Sequence, residues 1–188
     1  MEEPIIKSYC TYIETLDKNN VHRLYHDNEY GFPLHNDEEL FGRLVLEINQ
    51  AGLSWDTILK KKENFFKAYD NFDVLKVAKY NEKKIEKLLN DPGIIRNRLK
   101  ISSAIRNAQL FMDVQKEFGS FNNYLYSFMP GGKPITEYAG PHISTPESDA
   151  IAKDMKKRGF KFFGTTICYA HMQATGMVND HINGCAFK

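Results

Sequence analysis

The sequence predicts an all-α protein, and two observations carry that prediction. Apolar residues recur at helical spacing along most of the chain, as in Leu40, Leu44 and Ile48, whereas strand signals are weak throughout. Residues that cap helices precede these stripes, and glycines follow them. The chain has 188 residues, enough for one domain with a sizeable hydrophobic core. We therefore expect a single domain over residues 1–188.

Four helices are predicted between residues 36 and 92. Each begins at a side chain whose oxygen can accept a free backbone N–H of the first turn. In chain order, these starts are Asn36 or Asp37, Ser54, Asp73 and Asn81. Gly52 is placed to end the first helix, and Pro92-Gly93 interrupts the helical pattern after the last.

The second half of the chain repeats this arrangement. A long helix with Ile101 and Phe111 on its apolar side is expected to end at Gly119, and Ser120 starts a shorter one. Residues 130–146 are rich in Gly and Pro and predict a loop. The next helix starts at Thr145 and ends near Gly159. A short hairpin over residues 160–164 then leads to a helix that Thr165 is expected to cap and Gly176 to close.

Composition and charge are those of an ordinary globular protein. Lys and Arg number 25 and Asp and Glu 24, so the net charge of +1 does not by itself indicate a nucleic-acid-binding protein. Basic residues cluster at 60–62, 96–100 and 153–161, either as solvated helix faces or as a side that faces DNA. No run reaches the roughly 20 apolar residues of a membrane span, and no signal-peptide layout is present. We therefore expect a cytoplasmic protein.

Residues 156–166 could form a helix-hairpin-helix element. Gly159 and Gly164 bracket a tight turn between two helices, and glycine lets backbone approach a phosphate closely. The N–H groups that open the following helix, together with adjacent Lys and Arg, suit binding of a DNA backbone without sequence readout. An ordinary turn between two helices is equally consistent with the spacing.

The cysteines and histidines offer a metal site. Three cysteines argue against a disulfide framework. His181 and Cys185 are four residues apart and can share a metal, and Cys10 and His26 could complete a Cys2His2 set that joins the two ends of the chain. A buried thiol beside unrelated histidines explains the pattern as well. Cys168 lies among apolar neighbours and is expected in the core.

Glu47 falls on the apolar face of its predicted helix, with Leu40, Leu44 and Ala51. A buried carboxylate is costly without a partner, so Glu47 could border a cavity that holds something polar or cationic. It could also lie at the edge of the stripe and reach water. Aromatic residues that could stack on a base are Tyr12, Tyr25, Tyr30 and Trp55, although each could also be a core residue.

Together these motifs resemble the 3-methyladenine DNA glycosylase I family of the helix-hairpin-helix DNA glycosylases. The matching segments are Tyr25-His26-Asp27-Asn28-Glu29-Tyr30-Gly31, Leu46-Glu47, Gln50-Ala51-Gly52-Leu53-Ser54-Trp55, Leu59-Lys60-Lys61-Lys62-Glu63, Gly93-Ile94-Ile95-Arg96, Lys157 to Tyr169, Val178-Asn179-Asp180-His181 and Gly184-Cys185. They extend over roughly residues 10 to 185 in the order of the family. Tyr12 and His22 depart from the family pattern, which has Trp and often Tyr at these positions.

The resemblance implies the helix-hairpin-helix DNA glycosylase fold, with a structural zinc ion, one per chain, that joins the N- and C-terminal segments. The implied ligands are Cys10, His26, His181 and Cys185. Glu47 would be the catalytic and base-recognition residue, in a pocket walled by the aromatic side chains of Tyr25, Trp55 and Tyr12. Residues implied to contact DNA are Gly52 and Leu53 as a wedge, and Lys161, Phe162, Gly164 and Thr165 in and after the hairpin.

The function implied is hydrolytic release of N3-methyladenine from double-stranded alkylated DNA by a monomeric, monofunctional enzyme. By the same resemblance, Asn179 stands where related glycosylases carry a catalytic Asp. Three alternatives stay open: a shifted range of alkylated bases that includes 3-methylguanine, a non-enzymatic zinc-stabilised DNA-binding module, and a helical interaction protein that does not bind DNA.

Overall fold

A computed structural model of the protein describes residues 8–136 and 142–188. These residues form ten α-helices and no β-strand, which confirms the all-α prediction. In chain order the helices are α1 (Tyr9–Glu14), α2 (Val21–Asn28), α3 (Asp37–Gln50), α4 (Trp55–Ala68), α5 (Val74–Val77), α6 (Glu82–Leu89), α7 (Arg98–Phe118), α8 (Phe121–Tyr126), α9 (Pro146–Arg158) and α10 (Thr165–Ala174).

The predicted caps at five helix starts are found in the structure. The side chains of Asn36, Ser54, Asp73, Asn81 and Ser120 each accept a first-turn backbone N–H of α3, α4, α5, α6 and α8, respectively. These bonds satisfy donors that the helix itself leaves unpaired.

Three further helix boundaries were predicted in the two helices that flank the hairpin. Thr145 caps α9 in a reciprocal pair of bonds with Ser148, and Gly159 ends this helix in the left-handed region at φ 99°. The prediction that Thr165 caps α10 is wrong: Gly164 is the capping residue, and Thr165 is the first helical residue. The Thr165 hydroxyl instead bonds Asp149 and Ser148 on α9.

Helices α1 and α2 were not predicted, although Ser8 and Asn20 cap them, because too few aliphatic residues follow these caps to form an apolar stripe. The expected loop over residues 130–146 contains a short 3-10 helix, Pro130–Gly132, and an isolated bridge between Ile135 and Val178. Residues 137–141 of this loop lie outside the described residues.

The core is built around α3, which packs against α4, α7, α8 and α10. Its residues Leu40, Phe41, Leu44 and Ile48 are fully buried, and Cys168 on α10 lies in the same core, as predicted. A second, smaller cluster contains Tyr25, Tyr30, Leu59 and Ala174 and lies against Trp55. Because α3 runs beside both clusters, one face of α3 is core and another borders the aromatic cluster.

Candidate functional site

Glu47 is a buried carboxylate in the last turns of α3, with only 4% of its surface exposed. Its helix is capped at Asn36 and packed into the core, so the backbone that carries Glu47 is held in place. Among the described residues, no donor forms a hydrogen bond with this side chain, although buried polar groups normally have one. Glu47 therefore has unused capacity to accept hydrogen bonds or balance a positive charge.

The Glu47 side chain faces a cavity of about 280 Å³ formed by α1, α2, α3, α4 and α10. This volume is close to the lower end of the range, roughly 300–1,000 Å³, that is usual for small-molecule sites. The residues that line it are Tyr9, His22, Tyr25, Tyr30, Glu47, Gln50, Trp55, Ala170 and Gln173. The cavity thus combines one carboxylate with several aromatic rings, a composition suited to a flat, cationic ligand.

Tyr25 and Trp55 form a corner of this cavity. Their ring centroids are 5.4 Å apart and their planes meet at 68°, an edge-to-face contact. A flat ligand cannot lie between two rings in this arrangement, because a sandwich needs parallel planes about two stacking distances apart. It can stack on one ring and meet the edge of the other.

Burial raises the pKa of Glu47 to about 8, and the nearby Arg43 guanidinium acts in the opposite direction. The cause is that a carboxylate loses its hydration in an apolar surrounding, which disfavours the charged form. A cation in the cavity would favour the ionised carboxylate. The pKa of Tyr25 is also well above its usual value, first through burial and then through Glu47, so its ring remains neutral.

Tyr9 is a cavity residue that the sequence analysis missed. Its hydroxyl lies 3.0 Å from Nδ1 of His22, whose Nε2 is 3.6 Å from a carboxylate oxygen of Asp56. Tyr12, which the sequence analysis assigned to the base pocket, does not line the cavity. It is 47% exposed and stacks on Tyr9 with ring centroids 6.3 Å apart. The two tyrosines are about one turn apart on the same side of α1, and the place where α1 meets α2 decides which of them reaches the cavity.

A larger cavity of about 520 Å³ opens on another side of α3. Its basic residues Arg43 and Lys62 both pair with Glu29, so each already has an ionic partner. The smaller cavity is the better candidate site, because its carboxylate has no such partner.

The four predicted metal ligands, Cys10, His26, His181 and Cys185, lie together. One ligand atom from each is within 4.8 Å of every other. Nδ1 of His181 is 3.5 Å from Sγ of Cys10 and 3.4 Å from Sγ of Cys185, and Nε2 of His26 is 3.8 Å from Sγ of Cys185. A tetrahedral zinc site with Zn–N near 2.0 Å and Zn–S near 2.3 Å has edges of about 3.5 Å, so the set fits this ion.

The other nitrogen of each histidine is held in the form that a metal ligand requires. Nε2 of His181 donates to the carbonyl of Tyr30 at 2.9 Å, and Nδ1 of His26 donates to the carboxylate of Asp27 at 2.7 Å. Each ring therefore keeps its proton on the outer nitrogen and presents a lone pair to the cluster. Gly31 adopts φ 78°, and a Cβ there would lie 2.8 Å from the His181 ring, so this close approach requires glycine.

The predicted wedge and hairpin are both on the surface. Gly52 adopts φ 78° at the end of α3 with open space around it, and the following Leu53 side chain is 38% exposed. In the hairpin, Lys161 and Phe162 are exposed, and Phe162 has a strained positive φ of 54°. The N-terminal N–H groups of α10 begin directly after the hairpin, at Gly164.

Within the described ranges 8–136 and 142–188, no helix is both long and apolar enough to cross a membrane.

Comparison with known proteins places these features in one family. Residues 15–188 match the family model described as methyladenine glycosylase. The DNA-3-methyladenine glycosylase 1 of Escherichia coli strain K12 is 46% identical over 164 residues, covering 86% of this chain and 88% of that protein. A crystal structure of 3-methyladenine DNA glycosylase I superposes with a TM-score of 0.85 at 45% identity, covering 91% and 96% of the two chains.

The enzyme of the same name from Staphylococcus aureus, whose structure addresses 3-methyladenine recognition, superposes with a TM-score of 0.86 at 34% identity over 92% of this chain and 93% of that one. These similarities extend over most of both chains and confirm the resemblance that the sequence motifs indicated. The chain belongs to the methyladenine glycosylase family.

Proposed function

We propose that this protein is a DNA base-excision glycosylase that hydrolyses the bond between N3-methyladenine and deoxyribose in alkylated duplex DNA. One observation carries the proposal: the Glu47 carboxylate is buried, free of hydrogen-bond donors from the described residues, and set in an aromatic cavity. The names of the relatives and the Staphylococcus aureus structure on 3-methyladenine recognition support this substrate.

The substrate is distinguished by its charge. Methylation at N3 makes adenine in DNA a cation and a better leaving group, whereas normal adenine is neutral. A base rotated out of the helix, at a cost of a few kcal/mol, would stack on Trp55 or Tyr25 in the cavity. Cation–π attraction in a desolvated site contributes about 1–2 kcal/mol. Glu47 in its ionised form would add a charge-assisted hydrogen bond, and a neutral adenine would gain less binding energy from this contact.

The bond that breaks joins C1′ of the sugar to N9 of the base. Its electron pair leaves with the purine, which departs as neutral 3-methyladenine, and C1′ gains the positive charge of an oxocarbenium-like state. Water adds to C1′ and loses a proton, which leaves an abasic site. No lysine lines the cavity in the described residues, so the protein surface there offers no amine for a covalent intermediate.

The implied catalytic position, Asn179, is engaged in structural bonds. Its side-chain oxygen accepts from the backbone N–H of His181 at 3.1 Å, and its amide donates to the carbonyl of Phe187 at 3.2 Å. We propose that Asn179 holds the C-terminal segment in place and that activation relies on the charge of the base. Asp180 accepts hydrogen bonds from Tyr169 and from Gln173, a cavity residue.

Duplex DNA would be held by the two surface loops. Leu53 would fill the space that the rotated nucleotide leaves, and the turn at Gly52 gives room for backbone approach. Hairpin residues Lys161 and Phe162, with the N–H groups after Gly164, would bind phosphates. These contacts position the DNA and carry no sequence information.

The Cys10, His26, His181 and Cys185 cluster would hold one structural zinc ion per chain. All four ligands come from the protein, so the bound ion supplies stability and has no position for a reacting water. The backbone carbonyl of Tyr30 links the two sites, because it bonds His181 while the Tyr30 ring lines the cavity. Metal analysis of protein purified without chelator should find one zinc ion per chain, and protein without bound metal would contradict this part of the proposal.

The deciding experiment measures release of free 3-methyladenine from methylated duplex DNA. The wild type should release it, and Glu47→Gln, which keeps the shape of the side chain and removes its charge, should be slower by roughly 100-fold, the usual scale for loss of one such electrostatic contact. Glu38→Gln is the matched control on the exposed side of the same helix.

Binding of duplex DNA without any base release would contradict the proposal and favour a DNA-binding module. Equal rates for Glu47→Gln and wild type would contradict the role of Glu47. Parallel assays with 3-methylguanine in DNA test whether His22, where the family often has Tyr, changes the range of bases.

A further inference from the structure

Helix α7 carries two buried polar side chains that bond to the backbone of two different loops. Lys100 lies in its first turn and is only 7% exposed, and Asn107 lies two turns later and is fully buried. The sequence analysis counted Lys100 among basic residues that are solvated or face DNA, which its burial contradicts, and it did not consider Asn107. Each reaches one of the two loops that the proposed function places against DNA.

Lys100 holds the turn at the end of α3. Its ammonium donates to the carbonyls of Asn49 and Ala51, at 2.7 Å each, and within the described chain it has no carboxylate partner. Carbonyls at a helix C-terminus lack helical partners, and the negative end of the helix dipole attracts a cation there. Ala51 directly precedes Gly52 and Leu53, and Asn49 lies in the last turn of α3, so Lys100 fixes where the exposed Leu53 stands.

Asn107 holds the hairpin in the same way. Its side-chain amide donates to the carbonyl of Lys161 at 2.9 Å, and its oxygen accepts the Lys161 backbone N–H at 2.8 Å. Both backbone groups of Lys161 are thereby paired, which supports the strained φ of 54° at the next residue, Phe162. The Lys161 side chain itself remains exposed.

The two contacts lie on nearly the same face of one rigid element. Seven residues separate Lys100 from Asn107, about 10.5 Å along the helix axis and about 20° short of two full turns. The intervening segment has no glycine or proline, and Ile101 and Ala104 in it are fully buried.

A buried lysine is a poor choice for stability alone. Replacement of buried charged groups by apolar residues of similar size is often neutral or stabilising, because burial removes the hydration of the ion. Burial also lowers the pKa of Lys100, as expected for an ammonium that loses water. The two hydrogen bonds from Lys100 to the turn after α3 explain why a lysine occupies this buried position, which packing alone does not.

We propose that Lys100 and Asn107 are positioning residues that set the distance between the Leu53 turn and the Lys161 hairpin, so that both can engage one DNA duplex at once. This inference rests on the proposed function. Neither residue lines the cavity, so neither should affect a free base bound beside Glu47.

The test compares Lys100→Met, Asn107→Ala and the double variant with Lys116→Met, an exposed lysine on the same helix. Measured quantities are the Kd for free 3-methyladenine and the KM and kcat for methylated duplex. Each single variant should raise the duplex KM by about 10-fold, with kcat and the free-base Kd within about 2-fold of wild type. Because both residues control one distance, the double variant should raise the duplex KM by about 20-fold, and not by the 100-fold product expected of independent sites.

Three results would overturn the inference: an unchanged duplex KM in Lys100→Met, a parallel loss of free-base binding, or a 100-fold effect in the double variant. If Lys100→Met does not fold, Lys100→Gln, which keeps a donor, replaces it under the same criteria. A wild type that releases no 3-methyladenine contradicts the proposed function, whereas an active wild type with unaffected variants contradicts only this inference.

Discussion

The pH dependence of base excision should report the ionisation of Glu47. The pKa of this carboxyl is raised to about 8 in the free protein, and the proposed role requires its charged form. A group with a raised acid pKa is charged above that value and loses its charge as the pH falls through it. Activity that depends on the charge should therefore decline below pH 8, contrary to the usual behaviour of a glutamate, which stays ionised down to about pH 4.

The expected size follows from the ionised fraction. With a pKa of about 8, roughly one molecule in 10 carries the charge at pH 7 and one in 100 at pH 6. The value of kcat/KM, which reports the ionisation of groups in the free enzyme, should thus fall about 10-fold between pH 7 and pH 6. The substrate does not contribute, because N3-methylated adenine in DNA keeps its charge without a dissociable proton.

Other titratable groups near Glu47 should not produce this decline in kcat/KM. The pKa of Tyr25 lies far above this range, and the pKa of His22 is lowered below 6.5, chiefly by burial. Arg43 favours the ionised carboxylate, so Arg43→Met should move the decline to higher pH. In the complex, the cationic base also favours ionisation, so kcat should depend less on pH than kcat/KM does.

The assay is kcat/KM on methylated duplex from pH 6 to pH 9, with Glu47→Gln as control. The wild type should show the decline, and the slower Glu47→Gln should have a flat profile. A wild-type profile that is flat between pH 6 and pH 8 would refute this reasoning, and a decline that persists in Glu47→Gln would assign it to another group.

Three further predictions concern stability and the cavity wall. His171 is fully buried, donates to the carbonyl of Leu40, and has a pKa lowered by burial to about 4. Its stabilising effect is therefore complete above pH 6.5, and roughly 3 kcal/mol of it is lost as the pH falls towards 4. In urea unfolding, the free energy of unfolding should fall less on acidification in His171→Phe than in the wild type. Cys185→Ser, or treatment with a strong chelator, should lower the thermal midpoint in calorimetry by about 5–10 °C, because loss of a structural metal removes several kcal/mol of folding free energy. An unchanged midpoint would show that the cluster does not hold a stabilising ion. Tyr9→Ala should weaken binding of free 3-methyladenine by roughly 5-fold or more, since loss of a stacking ring costs about 1–3 kcal/mol. Tyr12→Ala should stay within 2-fold of wild type in the same titration, and a larger loss in Tyr12→Ala than in Tyr9→Ala would contradict the cavity assignment.

Local features of the sequence determined most of the fold. Caps such as Asn36 and Ser54, and the spacing of apolar residues between them, depend only on neighbours within one or two turns, so the sequence is enough to place these helices. The same locality explains the errors. Helix α1 has too few aliphatic residues to show an apolar stripe, and the Thr165 side chain bonds Asp149 on another helix and does not cap its own.

The sequence also singled out Glu47, because a carboxylate on an apolar stripe is unusual whatever the tertiary structure. Only the tertiary structure showed that Tyr9 and not Tyr12 lines the cavity beside it, and that Lys100 and Asn107 hold the two surface loops. These facts depend on the packing of helices that are far apart in the chain, such as α7 and the hairpin 54 residues after Asn107. Periodicity and capping act over a few residues, whereas the side of a helix that meets a distant segment is decided by how all the helices fill the core together.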